Sequence, residues 1–210
     1  MIHIRKAAII LCVTACVMAG CAFRDPHTIV SDYDKRGIRL IALAPVDNKT
    51  DDREAARLLR EKILEALYFK GYPRIPLGMI DEKLKAGGRN GRTGTMSPEA
   101  IGNLLGVDAV MYGTLTEWKT TFIGMYASTT VSVSLVLKDT QTGTTVWSAK
   151  HSIVERNYDL TRERLELKSY QAYEPAIREI IEKTLAGLPD GPDFVGSPPP
   201  EKKFWKFWQS

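Results

Sequence analysis

The chain is poor in the residues that most often do chemistry. Its three cysteines stand at positions 12, 16 and 21, all within the first tenth of the sequence. Beyond Cys21 no disulfide framework, cysteine zinc site or thiol nucleophile can be assembled. Three histidines occur, at positions 3, 27 and 151. His27 stands in a polar stretch and His151 in a strand pattern, where it reads as a packed or half-exposed residue. No Gly-x-Ser-x-Gly elbow is present. Asp32 and Asp34 form an isolated pair that reads as solvated. Gly87–Gly94 (GGRNGRTG) lacks the Lys-Ser/Thr ending of a phosphate-binding loop and reads as a surface loop. Nowhere is there an apolar run of about 20 residues, the length a membrane helix needs. An excess of one charge is missing too. Without Arg5 and Lys6, the 29 basic residues become 27 against 25 acidic ones. That balance excludes a general nucleic-acid binder. These absences give no sign of an enzyme and no call for a cofactor.

What is present begins with the leader, residues 1–20. Arg5 and Lys6 form a positive start, Ala7 to Val17 an apolar run, and Met18-Ala19-Gly20 a small-residue exit. That is the anatomy of a secretory signal peptide. Met18-Ala19-Gly20-Cys21 resembles the bacterial lipobox. The resemblance implies a diacylglyceryl thioether on Cys21, cleavage before it, and a third acyl chain on the freed amine. Multiple chains anchor stably where one holds only marginally. Ala22 follows the lipidated position, and by the same resemblance a residue other than Asp there directs export to the outer membrane. Cys12 and Cys16 leave with the leader.

Residues 21–36 read as the lipidated N-terminus and a tether, which at ~3.3 Å per residue reaches ~50 Å if extended. The other reading is a segment that folds back along the domain. Residues 37–188 read as one α/β domain, a two-layer sandwich with a mixed sheet of about five strands. Ile38–Val46 is apolar at nearly every position, as in a buried central strand. Asp51 and Glu54 fit a capping box. They open a helix with Ala55, Leu59, Ile63, Ala66 and Leu67 on one face, closed by Gly71. Tyr72–Leu77, broken by Pro73 and Pro76, reads as an edge strand, and Met79–Lys85 as one or two helical turns. Ser97-Pro98-Glu99 starts a helix that closes at Gly106. Strands follow over Val107–Trp118, Val131–Leu137 and Thr145–Ile153, the last two joined by the turn at Asp139–Gly143. A last helix, about Tyr170–Ala186, carries Ala176, Ile177, Ile180, Ile181, Thr184 and Leu185 as its stripe. The mixed charges of Arg162, Glu163, Arg164 and Glu166 read as a solvated face.

Two segments carry a family likeness. One runs from Ser97 to Gly113 and contains Gly106-Val107-Asp108-Ala109-Val110. The other is the strand pair around Asp139-Thr140-Gln141-Thr142-Gly143, ending in Val146-Trp147. Together they resemble CsgG-like and LpoB-like lipoproteins and the N-terminal domain of TolB. With the lipobox and tail, the whole resembles a family of bacterial lipoproteins of unassigned function, encoded beside a CsgG-type lipoprotein. The likeness implies a fold and envelope protein partners, a CsgG-like lipoprotein first among them, with homo-oligomers open. It implies an outer-membrane lipoprotein whose domain faces the periplasm, serving as an accessory subunit of a secretion or transport assembly. Regulation of a peptidoglycan synthase, as LpoB-like proteins do, is the alternative. CsgG-type pore formers insert two long membrane hairpins. Here Thr120–Thr130 is short and Val154–Ser169 heavily charged, so pore formation is not implied.

Two segments are candidate partner-binding sites. Phe122-Ile123-Gly124-Met125-Tyr126 is apolar where a strand link should be polar. Phe122, Met125 and Tyr126 either mark an interface or continue the buried strand. The tail, residues 189–210, ends in Phe204-Trp205-Lys206-Phe207-Trp208 behind the stiff spacer Ser197-Pro198-Pro199-Pro200. Phe204, Trp205, Phe207 and Trp208 can dock in a partner's groove, enter a lipid surface or pack back on their own domain. Lys202 and Lys203 suit an acidic groove or anionic headgroups.

Overall fold

The computed structural model describes residues 27–87, 96–171 and 173–194. They form a mixed α/β domain: a six-stranded sheet, not closed into a barrel, with helices packed against it. The strands are β1 (His27–Ile29), β2 (Ile41–Leu43), β3 (Asp47–Asn48), β4 (Ala109–Ile123), β5 (Tyr126–Asp139) and β6 (Thr145–Tyr158). Their order is β1-β6-β5-β4-β2, with β3 also on β4. β2 and β3 run parallel to β4, and every other pairing is antiparallel.

The helices are α1 (Arg53–Phe69), α2 (Leu77–Gly87), α3 (Pro98–Leu105), α4 (Arg162–Gln171) and α5 (Tyr173–Leu185). The main core lies on one sheet face. There α1 and α5 bury Leu59, Ile63, Leu67, Ile177, Ile180 and Ile181 against Met111, Leu115, Val133, Leu135 and Trp147. The expected stripe of α5 is buried at all six positions. A smaller cluster sets Ile80, Leu84 and Ile101 against Ala42, Ala44 and Val110, which alternate with the first set and so face the other way.

Several local expectations shift. Ile38–Val46 contributes β2, which is the sheet's terminal strand and not a central one. Helices shield both its faces, and double-faced burial writes the same apolar run wherever the strand lies. The α1 cap is Asp52, whose carboxylate accepts the N–H groups of Glu54 and Ala55 at 2.9 and 3.1 Å, one residue later than expected. Tyr72–Pro76 is not a strand. Its two prolines cannot donate ladder bonds, although Ile75 and Tyr72 are buried. The charged run before the last helix is itself the helix α4. Pro175, in the first turn of α5, has no N–H to bond back to residue 171.

Residues 27–36 do fold back along the domain, the alternative to a free tether. β1 pairs with β6, from His27 opposite Ala149 to Ile29 opposite Trp147. Tyr33 is buried with its hydroxyl 3.0 Å from that of Tyr72. Arg36 reaches the Asp139 carboxylate at 2.8 Å.

Candidate functional site

The hairpin β4–β5 runs well past its expected ends. Thr120–Thr130, read as a link, is the outer part of both strands, joined only by Gly124-Met125. Gly124 takes φ 58°, the left-handed value that a two-residue hairpin loop demands at its first position. β6 keeps pace as far as Tyr158, opposite Tyr126. A bulge between Leu115 and Glu117 inserts Thr116 and resets which side chains face the core.

The core-side face of this outer hairpin is clothed by α4 and α5. Trp118 stacks on Tyr173 with ring centroids 4.6 Å apart and an interplanar angle of 10°. Thr120 links the hydroxyls of Tyr173 and Thr129 at 2.6 and 2.9 Å. The Arg162 guanidinium lies 4.1 Å over the Phe122 ring. Phe122 is therefore half-buried and held by its own chain. The opposite face stays open, with Lys119, Thr121, Ile123, Arg156 and Tyr158 all exposed. Tyr126 leans on Tyr158 with centroids 5.1 Å apart. Hydrogen bonding to Ser128, and then the nearby Arg156, hold its phenol pKa below the ordinary value.

At the tip the exposed surface is apolar. Ile123 is 67% exposed, Met125 60%, Tyr158 65% and Leu160 85%. Of the candidate residues there, Met125 is a surface side chain, while Tyr126 and Phe122 are half covered. Tyr158 and Leu160 join the patch from a segment that reads in sequence only as charged. Around them Lys168 pairs with Asp159 at 2.7 Å and Arg162 with Glu166 at 2.6 Å.

At the other end of the sheet, the start of the expected tail is fastened to the domain. The Tyr72 hydroxyl donates to the Pro189 carbonyl at 2.9 Å, Lys70 pairs with Asp190 at 2.8 Å, and Gly191 N–H donates to the Lys70 carbonyl at 2.6 Å. Gly71 sits at φ 90°, and a Cβ there would collide with the backbone of Phe194. Burial pushes the Tyr33 phenol pKa well up, reinforced by Tyr72. Val30 N–H bonds to the Val146 carbonyl and Tyr33 N–H to the Val30 carbonyl, so this latch stands by the first residues of β6. The hairpin tip stands by its last ones, about 40 Å away at ~3.3 Å per residue.

Cys21 and the tail aromatics Phe204, Trp205, Phe207 and Trp208 lie outside the described residues, as does most of the glycine-rich loop. Asp32 is tied to Arg36 at 3.0 Å. His151 is half-buried on β6; burial and then Lys183 hold its pKa below the ordinary value, which keeps it neutral. Among the described residues no group of His, Cys, Asp or Glu is placed to hold a metal ion. No helix among them is long and apolar enough to cross a membrane.

The two segments of family likeness meet in space. The Asp108 carboxylate accepts the N–H groups of Arg39 and Leu40 at 3.0 and 2.9 Å, fixing the entry to β2. The Thr140 hydroxyl donates to the carbonyls of Val107 and Asp108 at 2.7 and 2.8 Å, and a Cβ on Gly102 would strike its side chain. Gly106 at φ 70° and Gly143 at φ 67° make the two turns possible.

The curated protein "Putative lipoprotein NMB1124/NMB1162" of Neisseria meningitidis serogroup B is 27% identical over 153 residues, covering 70% of this chain and 68% of its own. The crystal structure of lipoprotein GNA1162 from Neisseria meningitidis superposes with a TM-score of 0.52 at 26% identity, covering 65% of this chain and 96% of that one. The LpoB C-terminal domain from Escherichia coli follows at a TM-score of 0.42 and 16% identity, covering 57% and 84%. The sequence model described as "Putative lipoprotein GNA1162-like" matches residues 31–183, and this chain belongs to that lipoprotein family.

Proposed function

We propose that this chain is a non-enzymatic outer-membrane lipoprotein, anchored by lipid on Cys21 with its domain in the periplasm. It serves as an accessory subunit of a secretion or transport assembly, with a CsgG-like lipoprotein as its first partner. The aromatic tail recruits that partner. The observation that carries this reading is the latch. Contacts of Pro189, Asp190, Gly191 and Asp193 with Lys70, Gly71 and Tyr72 set the tail's point of departure at the end of the sheet remote from the hairpin tip. In the sequence beyond that point, the spacer Ser197-Pro198-Pro199-Pro200 precedes Phe204, Trp205, Phe207 and Trp208. Membership of a lipoprotein family supports the anchor.

The test is cross-linking and co-purification from native envelopes, comparing the lipidated full chain with one ending at Gly196. Capture of one envelope protein by the full chain alone supports recruitment by the tail. Equal capture by both moves the contact to the domain and refutes the tail's role. If the captured protein is a peptidoglycan synthase, regulation replaces the accessory role. The short reach from Cys21 to β1 stands against that outcome, because a regulator of that kind needs a long stalk.

A further inference from the structure

The distribution of exposed apolar side chains is lopsided. Of the ten large ones exposed among the described residues, four stand at the hairpin tip, Ile123, Met125, Tyr158 and Leu160, and two more, Val154 and Leu167, lie on β6 and α4 behind it. The other four are scattered over β1, α1, α2 and the latch. Monomeric domains seldom leave such a cluster wet without a use. Its composition is amphipathic. Tyr126 and Tyr158 have apolar rings and polar hydroxyls, and Lys119 and Arg156 share their face, a combination suited to the headgroup level of a bilayer.

The chain between the anchor and β1 supplies the second argument. β1 is antiparallel to β6, so the chain enters β1 at His27 from the side toward which β6 runs from Ala149 to Tyr158. The six residues from Cys21 to His27 span at most about 20 Å. The stretch of β6 from Ala149 to Tyr158 covers about 30 Å. With the hairpin pointing toward the membrane, the tip outreaches the anchor by at least about 10 Å, and at full extension of the six residues this matches the ~5–10 Å depth of interfacial segments. Tilting the sheet lays the tip at the headgroups instead.

We infer that the tip of the β4–β5 hairpin, with Tyr158 and Leu160, is a second membrane contact. It seats at the headgroup–acyl boundary of the bilayer that holds the Cys21 lipid. This rests on the anchor proposed for Cys21. It turns the apolar cluster at Phe122–Tyr126 from a protein interface into a lipid one, and it leaves the latch facing away from the membrane.

The lipidated full chain carrying Met125→Cys has one free thiol, since the sulfur of Cys21 is taken by lipid. An environment-sensitive dye on that thiol, in phosphatidylethanolamine–phosphatidylglycerol vesicles, should brighten severalfold and be quenched by doxyl lipids. A dye at Gln141→Cys, in the exposed turn at the opposite end, should not respond. A wet or unquenched label at position 125, or quenching at 141 instead, overturns the proposal. So does a label protected only at high protein concentration, which would mean a second copy covers the tip. Mass analysis of Cys21 separates the two readings. Lipid on Cys21 with a wet tip sinks the tip alone, and no lipid sinks the anchor with it. As a second arm, the mature chain from residue 21 with Cys21→Ser, made without the leader, should float with the same vesicles. Adding Ile123→Asp, Met125→Asp and Leu160→Asp should abolish flotation without changing Tm. Loss of flotation on truncation at Gly196 instead, with the Asp variant still floating, would assign lipid binding to the tail and refute the tip.

Discussion

Single residues hold together the end of this sheet that lies by the first residues of β6. Asp108 accepts two backbone N–H groups that no other described group satisfies, and bonds to an ionised acceptor contribute about 1.5–3 kcal/mol each. Asp108→Ala should lower unfolding free energy in urea by about 3 kcal/mol. Gly71→Ala meets both a positive φ and the backbone of Phe194. It should cost on the order of 2 kcal/mol and open residues 189–194 to protease. For Asp139, burial opposes the ionised form, but Arg36 and the N–H groups of Gln141 and Thr142 outweigh it and hold its pKa below the usual carboxylate value. A depressed folded pKa gives stability that is complete above the unfolded pKa and is lost as pH falls through the folded one. Acid should therefore loosen the Arg36 clasp only below about pH 4, the ordinary Asp range. In Asp139→Asn, the stability-versus-pH curve should flatten on that acid side.

At the level of elements, the long hairpin is the feature with the most at stake. Its outer half is held by the stack of Trp118 on Tyr173, the Thr120 hydroxyl and Arg162 over Phe122. Trp118→Ala should cost on the order of 2 kcal/mol. Amide exchange should rise at residues 118–131 while residues 109–115 keep their protection. Legibility in the sequence follows the same division. The inner strands, the α5 stripe, the Ser97 cap and the Asp139 turn were readable because each is a local pattern of period or cap chemistry. The outer strands were not. Thr120, Thr121, Ser128 and Thr129 look like loop residues by polarity, yet β-branched threonine suits a half-covered sheet, and Gly124 marks a turn only once its partners are known. α4 was lost for a related reason. Half of its ten residues are charged, and among its described side chains Leu165 is the one fully buried apolar one. β1 hid in a stretch whose value as a strand comes entirely from an edge presented by β6. The candidate site was half legible: Met125 and Tyr126 were visible, while Tyr158 and Leu160 come to the tip only through pairing.

For the whole molecule, the latch makes the C-terminal segment part of the folded unit up to Phe194. A chain ending at Gly196 should match the full chain in Tm. One ending at Leu188 gives up the Lys70, Gly71 and Tyr72 contacts and should melt several degrees lower, at about 2–4 °C per kcal/mol for a domain of this size. If both melt alike, the latch adds nothing to stability.

The pairing of β1 with β6 also sets an order of events. His27 meets Ala149 across 122 residues, so the first strand can be laid down only when the last is available. Contacts this distant in sequence form late, because the loop they close must be drawn in first. A chain arriving N-terminus first therefore keeps its leading strand unpaired until Trp147 to Ala149 have emerged. Any interruption of synthesis before β6 leaves that strand with no place in the sheet.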